Sequence, residues 1–241
     1  MTDDSTSRST PVSATSPHPG VRNRWRSLEL TAGIAALVTV VLLFTPVTLL
    51  STFGEPGFSG SADEITAFFR NVDEPWVGAA GATAALGMLV FLLFVVTFTS
   101  LLRRVEGEPA WRSTVALVSG TLVTAYGFID VSWEAVYNRD DVDPAVAVFA
   151  FDFGNLGFAN IWLAFGGFAI ASGWVLISSR PSALPAWWGW WAIAAGIGFV
   201  AVRFIWEGWV WVIPYFVFWA WVIALGIRLI VRRSTEAPHP A

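Results

Sequence analysis

The sequence predicts an all-α membrane protein, a polytopic bundle of six transmembrane helices with both termini cytoplasmic. Three observations carry this reading. The chain is 55% hydrophobic and only 13% charged, with a mean hydropathy of +0.61, well short of the charge a soluble surface requires. Its apolar residues gather in runs near or above the roughly 20 residues that cross a bilayer's hydrocarbon core. Its basic residues, all of them arginine, alternate in density from one connection to the next: Arg8, Arg22, Arg24, Arg26, Arg103, Arg104, Arg112, Arg180, Arg228, Arg232 and Arg233 fall on one side of a six-span layout, and Arg70, Arg139 and Arg203 on the other. Arginine-rich connections stay in the cytoplasm, so the amino terminus is placed inside, and an even number of spans returns the carboxyl terminus to the same side.

Residues 1–27 are rich in Ser, Thr, Pro and Arg. They carry too little apolar surface to offset the entropy of ordering, and a disordered cytoplasmic tail is expected. Leu28 to Leu50 is the first span. It is too long for a signal-peptide core and has no convincing small-residue cleavage site behind it, and Pro46 is expected to kink its far end. Ser51 to Trp76 is acidic; within it Ser61 and Glu64 have capping-box spacing, and Ile65, Phe68 and Phe69 follow at helical intervals. That pattern predicts a short helix on the membrane surface or over the end of the bundle.

The second span runs from about Val77 to Leu102, with Gly78/Ala82 and Gly81/Ala85 at the small-xxx-small spacing that admits a neighbouring backbone. The third covers Ser113 to Trp133, and an acidic loop follows. Ala145 to Ser178 is longer than a membrane is thick, so its excess must project outside, and Gly167 with Ala171 form another notch. Leu184 to Arg233 is a hairpin of two spans broken at Glu207-Gly208, with Trp187, Trp188, Trp190 and Trp191 at one end and Trp206, Trp209 and Trp211 at the turn, where amphipathic rings anchor at water interfaces. The domain therefore occupies 28–233, with a short tail at 234–241 in the cytoplasm. No polar stretch between spans exceeds about 25 residues, too little for a separate soluble domain.

Composition narrows the chemistry. There is no cysteine, hence no disulfide, thiolate nucleophile or iron–sulfur cluster. His18 and His239 lie in the tails, so no histidine-held haem or metal is expected within the bilayer, and without lysine there is no amine for a Schiff base. No cofactor is expected. No basic stripe exists, which argues against nucleic acid. The expected partners are the bilayer of the cell membrane and, through the small-residue notches, a second copy or another membrane protein.

One group of residues could carry chemistry. Asp130 and Glu134 share a helix face at the outer end of the third span, Asp152 opens the fourth, and Arg203 with Glu207 closes the fifth, one helical turn apart and able to pair. Asn155 and Asn160 continue inward from Asp152. Ionisable groups within a membrane segment are costly and mark candidate sites, whereas ion pairing among these charges, and interhelical hydrogen bonds from Asn155, Asn160, Thr83 and Ser119, are the structural alternative. Trp219 and Trp221 fall near the middle of the last span, where packing is expected.

The layout resembles a broad group of small actinobacterial multi-pass membrane proteins of unknown function. The resemblance rests on the outer segment ADEITAFF, the turn DPAVAVFAFDFGNLGF, LPAWWGW opening the fifth span, and the closing arginines. It implies a six-helix membrane domain and assigns no chemistry. A transporter, channel or sensor subunit would use the outer acidic cluster to bind a cation, a proton or an amine. A membrane-embedded enzyme acting on a lipid or isoprenoid would use Asp130 or Glu134 as a general acid, with tryptophan and phenylalanine faces to steady a carbocation. A scaffold would bind a partner protein through the notched helices. A polar path past mid-membrane would mark a transporter, and an aromatic cavity facing lipid an enzyme.

Overall fold

The computed structural model describes residues 19–58, 60–72, 74–129, 132–137, 139, 141–179, 184–205 and 209–231. They form α1 (Pro19–Leu50), a 3-10 turn (Ser51–Phe53), α2 (Ala62–Asn71), α3 (Pro75–Glu106), α4 (Trp111–Ile129), α5 (Ser132–Tyr137), α6 (Pro144–Ser178), α7 (Trp187–Val202), a second 3-10 turn (Trp209–Trp211) and α8 (Val212–Val231). Five helical segments are long and apolar enough to cross a membrane, namely Arg24–Leu49, Trp76–Glu106, Trp111–Tyr137, Pro144–Ser178 and Trp209–Val231. The sixth apolar helix, α7, has 16 residues, about 24 Å of axial length. The chain has the build of a multi-pass membrane protein.

The six long helices close into a ring. Each packs on two neighbours in the order α1, α3, α4, α6, α7, α8 and back to α1, and α3 also meets α6 across the middle. The axis is filled with aromatic rings: Phe91, Phe94 and Phe98 from α3, Phe165 and Phe168 from α6, Phe199 from α7, and Phe218, Trp219 and Trp221 from α8 are all buried. Phe94 stacks on Phe98 with centroids 5.4 Å apart, Phe165 meets Phe218 edge-on at 5.1 Å, and Phe91 approaches Trp219 at 5.8 Å. Pairs of this kind add about 0.5–1.5 kcal/mol each beyond the area they bury. Outside the ring the polarity is that of a lipid-facing surface, with Val41, Leu89, Leu122, Phe149 and Ile197 exposed.

Where two backbones touch, glycines face each other. A Cβ on Gly196 of α7 would stand 2.8 Å from the Gly166 carbonyl oxygen of α6, and one on Gly173 would strike the Gly189 carbonyl oxygen. Gly33 of α1 and Gly226 of α8 approach in the same reciprocal way. The notch expected at Gly78 is not used, since no atom lies within 4 Å of where its Cβ would stand, and Gly81 meets only the Tyr137 hydroxyl, at 3.6 Å. Gly167 does receive a neighbour, the Ser119 side chain of α4.

One end of the bundle collects the arginines. Arg26 of α1 donates to the Leu229 and Ile230 carbonyl oxygens at 2.9 and 2.7 Å, satisfying groups that the end of α8 would leave open. Arg104 lies over the Trp25 ring, and Arg112 donates to the Ser178 hydroxyl. Helix begins at Pro19, upstream of the expected Leu28, and Trp25 and Arg26 make contacts at this end; the rest of the expected tail, residues 1–18, lies outside the described residues. The tryptophans of α7 divide by face: Trp187 and Trp190 are exposed, whereas Trp188 and Trp191 turn towards α8. There Trp221 Nε1 donates to the Trp188 carbonyl oxygen at 3.1 Å and Trp191 Nε1 to that of Val217 at 3.1 Å.

The other end is capped by α2. The capping box forms as its spacing predicts, with Glu64 N donating to Ser61 Oγ at 3.3 Å and Ser61 N to Glu64 Oε2 at 2.8 Å. Its apolar face, Ile65, Phe68 and Phe69, is buried against Val77, Val136, Ala147 and Phe151, so α2 covers the end of the bundle.

Candidate functional site

The predicted outer residues are described only in part. Asp130 and Glu207 lie outside the described residues. Glu134 is exposed on α5 and Asp152 exposed on α6. Among the described residues neither joins an ion pair; the two pairs there, Arg26–Glu29 and Arg112–Glu106, are at the arginine-rich end. No set of three potential metal ligands converges among the described residues. α4 is described to Ile129 and α5 from Ser132, so the face that Asp130 and Glu134 are expected to share lies partly outside the described residues. What α5 supplies is Trp133, stacked on Phe151 at 5.5 Å and seated where a side chain on Gly154 would stand.

Among the described residues Arg203 has a partner, and it is neutral. The turn begins here, immediately after α7, and Arg203 Nε donates to Asn160 Oδ1 of α6 at 2.8 Å. Its other N–H groups have no protein acceptor among the described residues. Asn155, a turn above, is buried, and its Nδ2 has no partner among the described residues. Thr83, expected to bond across helices, turns back to the Ala79 carbonyl oxygen of its own helix at 2.7 Å.

Asn160 stands at an opening that composition alone does not reveal. Between α4 and α6, on the outer surface of the ring, lies a groove of about 710 Å³. Its walls are Ser119, Leu122 and Tyr126 of α4 and Phe153, Leu156, Gly157, Asn160, Ile161, Leu163 and Ala164 of α6. Gly157 makes room for the Tyr126 ring, whose hydroxyl donates to the Gly154 carbonyl oxygen at 3.0 Å. Those contacts hold the two helices together above the opening. Asp152, Leu156 and Asn160 recur every four residues, one exposed stripe of α6. With Oδ1 committed to Arg203, Asn160 offers the groove its Nδ2 donors.

A smaller cleft of about 220 Å³ opens at the cap between α2 and α5, with Thr66, Arg70, Tyr137 and Arg139 around a floor of Phe69, Val136, Val142 and Ala147. Glu134 and Asp152 line neither opening.

Fold and surface thus define an all-helical, multi-pass membrane protein with a closed aromatic axis and a groove open to the lipid side. No family model matches the chain, and no curated protein or solved structure matches it either.

Proposed function

We propose that this is a six-span protein of the cell membrane, with both termini cytoplasmic, that binds an amphiphile taken laterally from the bilayer. It acts as a binding or sensor subunit and not as a conduit along its axis. Six spans are supported by the ring, in which α7 fills a full place between α6 and α8. Orientation is supported by the gathering of Arg26, Arg104 and Arg112 at one end. A conduit along the axis would need polar groups where Phe91, Phe165, Phe168 and Phe218 are packed.

The observation that carries the reading is Asn160, on the wall of a mostly apolar groove on the outer surface of the ring and hydrogen-bonded to Arg203 beside it. Polar groups on a lipid-facing surface are costly and mark function, and a few polar groups on an apolar wall are the make-up of ligand sites.

Native mass spectrometry of the protein extracted in mild detergent tests this. Leu122 and Leu163 are exposed and outside the core, so Leu122→Trp with Leu163→Trp fills the groove without disturbing the bundle. The wild type is expected to retain lipid that the filled variant loses. Equal retention by both would remove the groove as the site.

A further inference from the structure

We infer that the groove's ligand is an anionic phospholipid, its phosphate seated on Arg203 and Asn160 and one acyl chain lying along Leu163 and Leu122. This rests on the lateral-binding reading above and names the ligand class for that site.

The chemistry at the pair is one-sided. Arg203 contributes a guanidinium with N–H groups that meet no protein acceptor among the described residues, and Asn160, its oxygen already used, contributes two more donors. A site made of donors selects an acceptor, and a planar guanidinium fork beside an amide suits phosphate oxygens better than a neutral hydroxyl.

Depth agrees with this. Arg203 follows α7 and lies about 24 Å along the axis from Trp187, close to the far edge of a hydrocarbon layer roughly 30 Å thick. The next residues, Phe204 and Ile205, are among the most exposed apolar side chains of the protein, as expected where a chain turns among headgroups. Asp152 sits eight residues from Asn160 on the same stripe, about 12 Å away along the helix. It is too far to pair with Arg203, and it would repel a phosphate held at its own level, so the seat at Arg203 is favoured over the outer mouth. Below the pair the walls are apolar for the rest of the groove, Ser119 apart, which suits a chain.

The test uses the full chain in detergent micelles and two probes, phosphatidylglycerol and phosphatidylcholine with identical acyl chains, titrated and read by native mass spectrometry. The wild type is expected to favour phosphatidylglycerol by about tenfold, as a charge-assisted contact would give. Arg203→Gln is expected to retain lipid with the preference gone, and Arg203→Lys to keep part of it. Asn160→Asp supplies the guanidinium with an internal carboxylate and should abolish the preference with helicity and monodispersity unchanged, so a poorly folded Arg203→Gln would not decide the matter. An undiminished preference in Asn160→Asp or in folded Arg203→Gln overturns the inference. Displacement of phosphatidylglycerol by millimolar inorganic phosphate would also overturn it, pointing to a soluble anion. Equal retention of the two lipids by the wild type, lost in the groove-filled variant, would end the headgroup assignment and leave lateral binding standing. No retention above the filled variant would end both.

Discussion

The Glu106 carboxylate receives Arg112 twice, from the guanidinium Nε at 2.8 Å and from the backbone N–H at 3.1 Å. The same carboxylate accepts from Ser113 N at 2.8 Å and Ser113 Oγ at 2.5 Å. Its side chain is 1% exposed. A residue at the end of α3 thus caps the start of α4 and fixes the turn between them. Glu106→Ala leaves those donors unmet and is expected to cost about 3 kcal/mol, the range for breaking a buried charged pair. Glu106→Gln, which keeps an acceptor and loses the charge, is expected to cost roughly half of that. Chemical unfolding followed by tryptophan fluorescence in detergent would check both, and an Ala variant as stable as the wild type would contradict the assigned role.

The α6–α7 contact gives a contrast between glycines. Gly196→Val drives a side chain into the Gly166 carbonyl and the Ile170 side chain, and a loss of about 3 kcal/mol is expected. Gly78→Ala meets open space in the first turn of α3, where alanine is the better helix former, and a gain of up to about 1 kcal/mol is expected. Thermal aggregation curves in one detergent would order the two variants on either side of the wild type.

Trp221 and Trp190 share a residue type and should differ in consequence. Trp221→Phe removes the donor to the Trp188 carbonyl inside the α7–α8 contact and is expected to lower stability by about 1–2 kcal/mol. Trp190→Phe changes an exposed ring and should fall within about 0.5 kcal/mol of the wild type. Urea titration of purified protein separates these outcomes.

Orientation is open to a direct measurement. A phosphatase fusion after Arg104 is expected to be inactive and one after Asp143 active, because arginine density places the first in the cytoplasm and the second outside. The opposite pattern would invert the topology and move Arg203 to the cytoplasmic leaflet.

Much of the architecture was legible in the order of residues. Apolar runs marked each long helix, and Ser61, Glu64, Ile65, Phe68 and Phe69 marked α2 together with the face it buries. Packing was legible only where it followed spacing. Gly166 and Gly173 on α6 and Gly189 and Gly196 on α7 repeat at an interval of seven and could have pointed to the backbone contact. Gly78 has an equally good pattern with Ala82, yet a Cβ on it would meet nothing, because a notch needs a partner that sequence does not place. The site was the least legible part. Arg203 has Glu207 four residues on, a pairing that lies outside the described residues, whereas the partner found among the described residues, Asn160, is 43 residues away. It comes within reach only because α7 runs back along α6 from their glycine contacts.

The 16 residues of α7 have a consequence for the membrane as well as for the protein. In the proposed six-span arrangement about 24 Å of apolar helix at α7 would face a lipid layer nearer 30 Å, while α3 on the opposite flank covers the full thickness. Lipids could not match both at once, so in that arrangement the bilayer would be drawn thinner on one flank only, at a cost of fractions of a kcal/mol per Å of mismatch. Two molecules that share a thinned patch deform less membrane than two apart, and in thick bilayers they should attract one another before any surface of theirs makes contact.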